Sequence, residues 1–247
     1  MNSIGGSKIA KDGFNNEKEV AQKFINWKVD VEAQQWLKTM GYILEEIEDV
    51  KAEVLHGYKT DVQVQVTIKL KKIIDVQNIQ VKLVSNANGF NQVDKRWIKN
   101  YAEMWQIPDN IVKLLKYYTG ELKPYKNDTR DDRRMFMDEF SEQEKNDIVD
   151  FFTRNKMLII LDIIKGRGKF AAEWILVVQK YDNKFKWILM PINFAINHYS
   201  DGIVEITSRG NLKIGKIGMQ RKGGDGGRDT ANMLQFKVDP VQLFSLK

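Results

Sequence analysis

The chain has no cysteine, and only two histidines, His56 and His198. The first absence removes disulfides, thiolate nucleophiles and cysteine zinc sites together. The second argues against a histidine-rich metal centre and against a Ser-His hydrolase. Proline is scarce too, with 4 in 247 residues, and no Ser/Gly-rich or Pro-rich stretch reads as a linker, so residues 1–247 are expected to form a single domain. Long hydrophobic runs are also missing. The most apolar, Met157 to Ile164, is too short to span a bilayer and contains Asp162. The opening MNSIGGSKIAKDG has no apolar core of signal-peptide length, so a cytoplasmic protein without membrane association is expected. Acids, finally, are absent between Arg209 and Lys222, a stretch that carries Arg209, Lys213, Lys216, Arg221 and Lys222. With a net charge of +6, that imbalance suits a polyanionic partner, although a lysine-rich solvated surface would look the same from charge alone.

Periodicity supplies the rest of the frame. Val20, Phe24 and Trp27 at helical spacing predict a helix over Phe14 to Trp27, and a second runs from Ala33 to Met40, before Gly41. Asp61 to Leu70 alternates valines and Ile68 with polar residues, and Asn78 to Ser85 alternates again, so both read as strands. Helices are expected over Val93 to Trp105 and Asn110 to Tyr118, and the polar segment Lys123 to Arg134 reads as an exposed loop. Ser141 and Glu144 make a capping-box start for a helix through Arg154. Glu173 to Gln179 and Lys186 to Met190 read as paired strands, and Pro191 opens a short helix through Tyr199. Further strands are expected at Ile203 to Thr207, Lys213 to Met219 and Met233 to Val238. This order predicts an α/β (α+β) architecture, a mixed central sheet flanked by helices.

Three residues carry the chemistry. Gln80 and Lys82 are two apart on one strand, so their side chains leave the same face about 6–7 Å apart. Asp61 opens the preceding strand, and a hairpin would bring it beside Gln80-Val81-Lys82. Asp61 and the Gln80 amide oxygen are hard donors suited to Mg²⁺, and Lys82 can orient a water and offset phosphoryl charge. A Gln-x-Lys on a strand is nevertheless common by chance.

An acid, a variable gap and then acid-x-Lys across a hairpin is the pattern of the PD-(D/E)xK nucleases. Here it runs Asp61, eighteen residues (62–79), Gln80-Val81-Lys82. Across nearly its whole length the chain resembles the small restriction endonucleases that recognise GCGC and cut after its first G. The blocks that carry the resemblance are SKIAKDGFNNEKEVA, GYKTDVQVQV, NIQVKLVSNANGFNQVDKRW, RRMFMDEFS, GRGKFAAEWILVVQK and QRKGGDGGRDTANMLQFKVDP, in that order. The resemblance implies a restriction-endonuclease-like fold and Mg²⁺-dependent hydrolysis of double-stranded DNA, with Mn²⁺ able to substitute. Asp61, Gln80 and the Val81 carbonyl are the implied ligands, and Lys82 the implied catalytic residue that orients the attacking water and offsets phosphoryl charge. Thr60 stands where proline often precedes the acid, and Gln80 replaces an acid, at the loss of one ligand charge. The GCGC group is similar in carrying glutamine there. Glu17 resembles an additional acid that some nucleases of this fold aim at the metal, though a solvated helix-face glutamate reads equally well.

For DNA contact, Phe90, Asn91, Gln92 and Lys95 follow directly on the catalytic strand. Glutamine, asparagine and lysine can bond base edges, and Phe90 can wedge between base steps or else plug the core beneath the turn. The second candidate is Gln220-Arg-Lys-Gly-Gly-Asp-Gly-Gly-Arg228, whose glycines let backbone N–H groups approach phosphates. Arg221, Lys222 and Arg228 supply charge there, Asn232 and Gln235 supply amides, and Arg209 is a third element. No Gly-Lys-Ser/Thr follows the glycines, so a P-loop is not supported. Lys11 and Lys59 suit phosphate neutralisation. A catalytic core around residues 14–106 and a DNA-contacting β-rich part around 203–239 are thus expected. A cytosine methyltransferase for the same site is the implied functional partner. The palindrome suits a homodimer, although no heptad marks an interface. A catalytically inactive DNA-binding protein of the same fold, or a nicking or repair nuclease, is the alternative reading.

Overall fold

The computed structural model of the chain describes residues 3–55, 63–71, 73–86, 89–182 and 184–246. Helix α1 (Ser3–Ile25) and helix α2 (Val31–Thr39) open the fold, the first beginning well before the expected Phe14. Asp30 caps α2, its carboxylate accepting from the Ala33 N–H at 2.9 Å, and Val20, Phe24, Ala33, Trp36 and Leu37 form the buried stripe of the pair. Strand β1 (Ile47–Leu55), which periodicity did not announce, pairs antiparallel with β2 (Gln63–Leu70), and β2 pairs with β3 (Ile74–Val84).

Strand β4 (Asn91–Arg96) occupies the first part of what helical spacing assigned to a helix, and α3 (Ile98–Trp105) starts only afterwards. The reason is a distant partner: β4 pairs antiparallel with β10 (Leu234–Val238) and buries Val93 and Asp94 there, so tertiary pairing overrides local propensity. Helices α4 (Asp109–Thr119), α5 (Glu142–Arg154) and α6 (Lys156–Ile164) follow. The Ser141/Glu144 capping box forms as its spacing predicts. Strands β5 (Trp174–Tyr181) and β6 (Lys184–Pro191) are the expected antiparallel pair, and α7 (Ile192–Ser200) follows Pro191. The single strand expected over Lys213 to Met219 is a hairpin instead. After β7 (Val204–Ile206), β8 (Leu212–Ile214) turns at Gly215 into β9 (Ile217–Arg221). Gly215 has φ +57°, and a Cβ there would run into the Tyr199 carbonyl.

The strands form two five-stranded sheets rather than one. The first has order β1-β2-β3-β5-β6 and is mixed, because β3 and β5 run parallel; the second, β4-β10-β9-β8-β7, is antiparallel throughout. One core lies between α1, α2 and the face of the mixed sheet that carries Val64, Val66, Ile79, Val81 and Leu176. The other lies between the opposite face of that sheet, through Ile175, Val177 and Met190, helices α3 to α7, and the inner face of the second sheet. This is a mixed α/β fold with a central mixed sheet and flanking helices. Among the described residues no helix is long and apolar enough to cross a membrane.

Candidate active site and DNA-facing surface

Strand alternation sets the face that the candidate residues share. Gln80 pairs with Ile175 and Lys82 with Val177, both on the face turned away from α1 and α2. Gln80 is 1% exposed and Lys82 6%, so two polar side chains sit side by side in a largely desolvated strip. The described β2 ladder reaches no further along β3 than Gln63↔Gln80, whereas the β5 ladder continues to Val84↔Gln179. The sequence Gln80-Val81-Lys82 therefore lies where the described pairing on one side of β3 ends. Asp61 lies outside the described residues, as do Lys59 and the side chain of Lys11. Glu17 is 8% exposed, a buried position on α1 and not the solvated helix face that its sequence also allowed. Because α1 covers the Ile79/Val81 face, Glu17 can join Gln80 and Lys82 only around the end of β3. No group of three or more His, Asp or Glu side chains gathers among the described residues.

Upstream on the same face of β3, Asn78 is buried and fully engaged. Its Nδ2 donates to the carbonyls of Lys169 (2.9 Å) and Ala171 (3.2 Å), and its Oδ1 accepts from Gln65 Nε2 at 3.0 Å. Its backbone N–H donates to Glu173 Oε2, and its carbonyl accepts from the Glu173 N–H. These bonds pin the strand two residues before Gln80. No sequence pattern announced Asn78, because the carbonyls that its Nδ2 bonds come from a segment more than ninety positions away.

The end of β3 is coupled to the next loop. Gln179 Nε2 donates to the Asn86 carbonyl at 2.8 Å, and Asn91 Nδ2 donates to the Leu83 carbonyl at 3.3 Å. Gly89 sits so close to Val84 Cγ1 that a Cβ would come within 2.5 Å of it. Gly89 thus lies against β3 just before Phe90, which at 65% exposure is not a core plug.

Phe90 also borders a groove of about 460 Å³ over β8 and β9, lined by Arg209, Lys213, Lys216 and Gln220 among others. Cross-strand register orders the outer face of the second sheet. Lys95, Gln235 and Gln220 form one rung across β4, β10 and β9, and Gln92, Lys237, Gly218 and Lys213 form the next. Gln235 is nearly buried, its Nε2 donating at 3.4 Å to the carbonyls of Arg221 and Lys222, and burial pushes the Lys237 ammonium pKa down. Candidates that were far apart in sequence, Phe90, Lys95, Arg209, Gln220 and Gln235, thus gather on this sheet and its rim.

Arg221 and Asn232 are placed differently. The Arg221 guanidinium donates to the Thr119 carbonyl at 2.8 Å and to Asn232 Oδ1 at 2.7 Å, which ties the root of the glycine loop to the end of α4. The loop itself extends the β9–β10 hairpin through Lys222 N–H to the Met233 carbonyl and Gly223 N–H to the Ala231 carbonyl. Gly223, Gly224, Gly226 and Gly227 all have φ between +59° and +87°, the left-handed region that only glycine adopts freely. Arg228 lies beyond them on exposed surface.

A family model described as R.HinP1I restriction endonuclease matches residues 40–244. Among solved structures, restriction endonuclease MspI in complex with its cognate DNA superposes with a TM-score of 0.64 at 11% identity, covering 96% of this chain and 93% of that one. At that identity the likeness is one of fold. No curated protein matches the sequence.

Proposed function

The chain belongs to the R.HinP1I restriction endonuclease family, DNA-cleaving hydrolases, and from that premise we propose that it cuts double-stranded DNA at GCGC, after the first G, with Mg²⁺. The observation that supports the catalytic assignment best is the buried Gln80/Lys82 pair on one face of β3, at the point where Gln63 is the last described partner. Asp61 is two residues before Gln63, so chain connectivity alone keeps their Cα atoms within about 7 Å.

The donor set fits a hard divalent cation: a carboxylate from Asp61, the Gln80 amide oxygen and the Val81 carbonyl, with Glu17 a further acid. When bound, Mg²⁺ supplies Lewis-acid polarisation of the scissile phosphate. Lys82, in a strip that excludes most water, orients the attacking water and offsets charge developing on the phosphoryl oxygens. Gln80 is neutral, so the site carries one negative charge fewer than an acid-x-Lys pair would, and binds its cation less tightly.

The division of labour follows the expected parts. Residues around 14–106 supply catalysis, while those around 203–239 hold DNA together with β4, which crosses over from the first part. Phe90 wedges at the site. Gln92, Lys95 and Gln220 reach base edges in the major groove, with the buried Gln235 supporting their rung from within, and Arg209, Lys222 and Arg228 meet phosphates. Two copies acting about the palindrome's two-fold axis, and a cytosine methyltransferase protecting the host's own sites, complete the reading.

Asp61→Ala and Lys82→Ala test it. Each is expected to lower the cleavage rate by at least about 10²-fold, with gel-shift affinity in Ca²⁺ largely kept, because affinity resides in phosphate contacts elsewhere. Near-normal cutting by either variant would overturn the active-site assignment.

A further inference from the structure

The block RRMFMDEFS, singled out by the sequence, contributes nothing to the site as described so far. Its first arginines nevertheless lie against the root of the glycine loop. A Cβ at Gly120, at the end of α4, would stand 3.0 Å from the Arg133 carbonyl, 3.3 Å from Asn232 Oδ1 and 3.5 Å from Arg134 Cβ. Arg221 bonds to that same Asn232 oxygen. Arg133, Arg134 and Arg221 therefore share one neighbourhood.

The charges there do not balance. Asp131 is the carboxylate among them, and Arg133 takes both its oxygens, at 2.8 and 2.9 Å. That pairing holds the Asp131 carboxyl down at about 2. Arg134 is left 3.9 Å from Asp131, with its guanidinium over the rings of Phe136 (3.9 Å) and Tyr118 (5.7 Å). Its Nη1 is buried with no hydrogen-bond partner among the described residues. Arg221 bonds only to neutral oxygens of Thr119 and Asn232 in the described contacts. Asp138 and Glu139 are engaged by Arg130, and Asp132, almost wholly exposed, stands 3.9 Å from Arg133. Burial pushes the pKa of Arg134 down against the opposing pull of Tyr118 and Asp131, and burial followed by the Arg134 and Arg133 guanidinium groups pushes that of Arg221 down. Two partly desolvated cations near each other, with one carboxylate shared at 3.9 Å and otherwise neutral or π partners, present an electrostatic deficit that an oxyanion would relieve.

We propose that Arg134 and Arg221, with Arg133 at the rim, form an anion subsite that takes a backbone phosphate of bound DNA beside the glycine loop. The assignment of DNA as the source of that phosphate rests on the function proposed above. The subsite lies at the root of the glycine loop, where β9 ends, and contacts DNA outside the base-reading face, so it contributes affinity without sequence preference.

The test has two arms, each using wild type, Arg134→Gln and the exposed Arg133→Gln. In the first, DNA affinity is measured against salt concentration for cognate and unrelated duplexes. Each variant is expected to weaken both alike and to reduce the log–log salt slope by about one. In the second, thermal midpoints are compared in sodium sulfate and sodium chloride at equal ionic strength, without DNA. Wild type is expected to gain more from sulfate than Arg134→Gln does. An unchanged salt slope together with equal sulfate responses would overturn the subsite. A sulfate effect that depends on Arg134 in a protein that binds no DNA would uphold the subsite and remove DNA as its ligand. If Arg134→Gln does not fold, Arg133→Gln decides by its slope alone, because its side chain is 70% exposed.

Discussion

Replacing Asn78 with alanine should reveal how the catalytic strand is held. The change removes three side-chain hydrogen bonds, two to carbonyls in the Lys169–Ala171 segment and one from Gln65. Each contributes about 0.5–1.5 kcal/mol net, and the carbonyls left behind are only partly re-hydrated, so a loss of about 2–4 kcal/mol is expected. The two bonds between the backbones and carboxylate of Asn78 and Glu173 survive, which keeps β3 against β5 and limits the damage. Asn78→Asp should be no milder despite its shape. A carboxylate cannot donate to the two carbonyls and would set its charge against their oxygens. Urea unfolding of both variants measures the effect as a shift in midpoint at constant m-value. Cleavage should fall further than DNA affinity, since the strand that loses its anchor carries Gln80 and Lys82 two and four residues on. A loss below about 1 kcal/mol with normal cleavage would refute the reasoning, because bonds to buried groups of this kind are worth more.

Two other predictions concern the site and the loop. Gln80→Glu restores the charge of an acid-x-Lys pair and should tighten Mg²⁺ activation and shift the Mg²⁺/Mn²⁺ preference; identical metal titrations for variant and wild type would mean Gln80 is not a ligand. Lys222→Ala and Arg228→Ala should weaken binding to all duplexes alike, each flattening the salt slope by about one; a loss confined to GCGC at constant slope would make that residue a base reader.

Local patterns were readable where the sequence itself holds both partners. The Ser141/Glu144 box fixes the start of α5 within four residues of chain, and the alternation in NIQVKLVS puts Gln80 and Lys82 on one face of β3. Legibility fails where the partner is distant. Val93 to Arg96 has acceptable helical spacing, and only β10, far along the chain, makes it a strand. Strand β1 shows no clean alternation, its buried positions being few and irregular, so it gave no signal. Strands between 203 and 238 were legible, but not that they form a separate sheet joined by β4, and so not the rung of Lys95, Gln235 and Gln220, which exists only through register. Arg221 and Asn232 looked alike as DNA contacts in sequence, and in the fold they bond to each other. A linear reading shows neither that bond nor the approach of Arg134 to the same neighbourhood, because both depend on distant segments.

The central claim is sequence-specific cleavage. Its most direct test is digestion of duplex DNA of known sequence with Mg²⁺, with and without cytosine methylation at GCGC, followed by mapping of every fragment end. Cuts are expected after the first G of GCGC. Methylation is expected to block them, since a methyl group in the major groove would crowd Gln92 and Lys95 if these residues read the site as proposed. Ends that map to another motif, or that scatter without one, would contradict it.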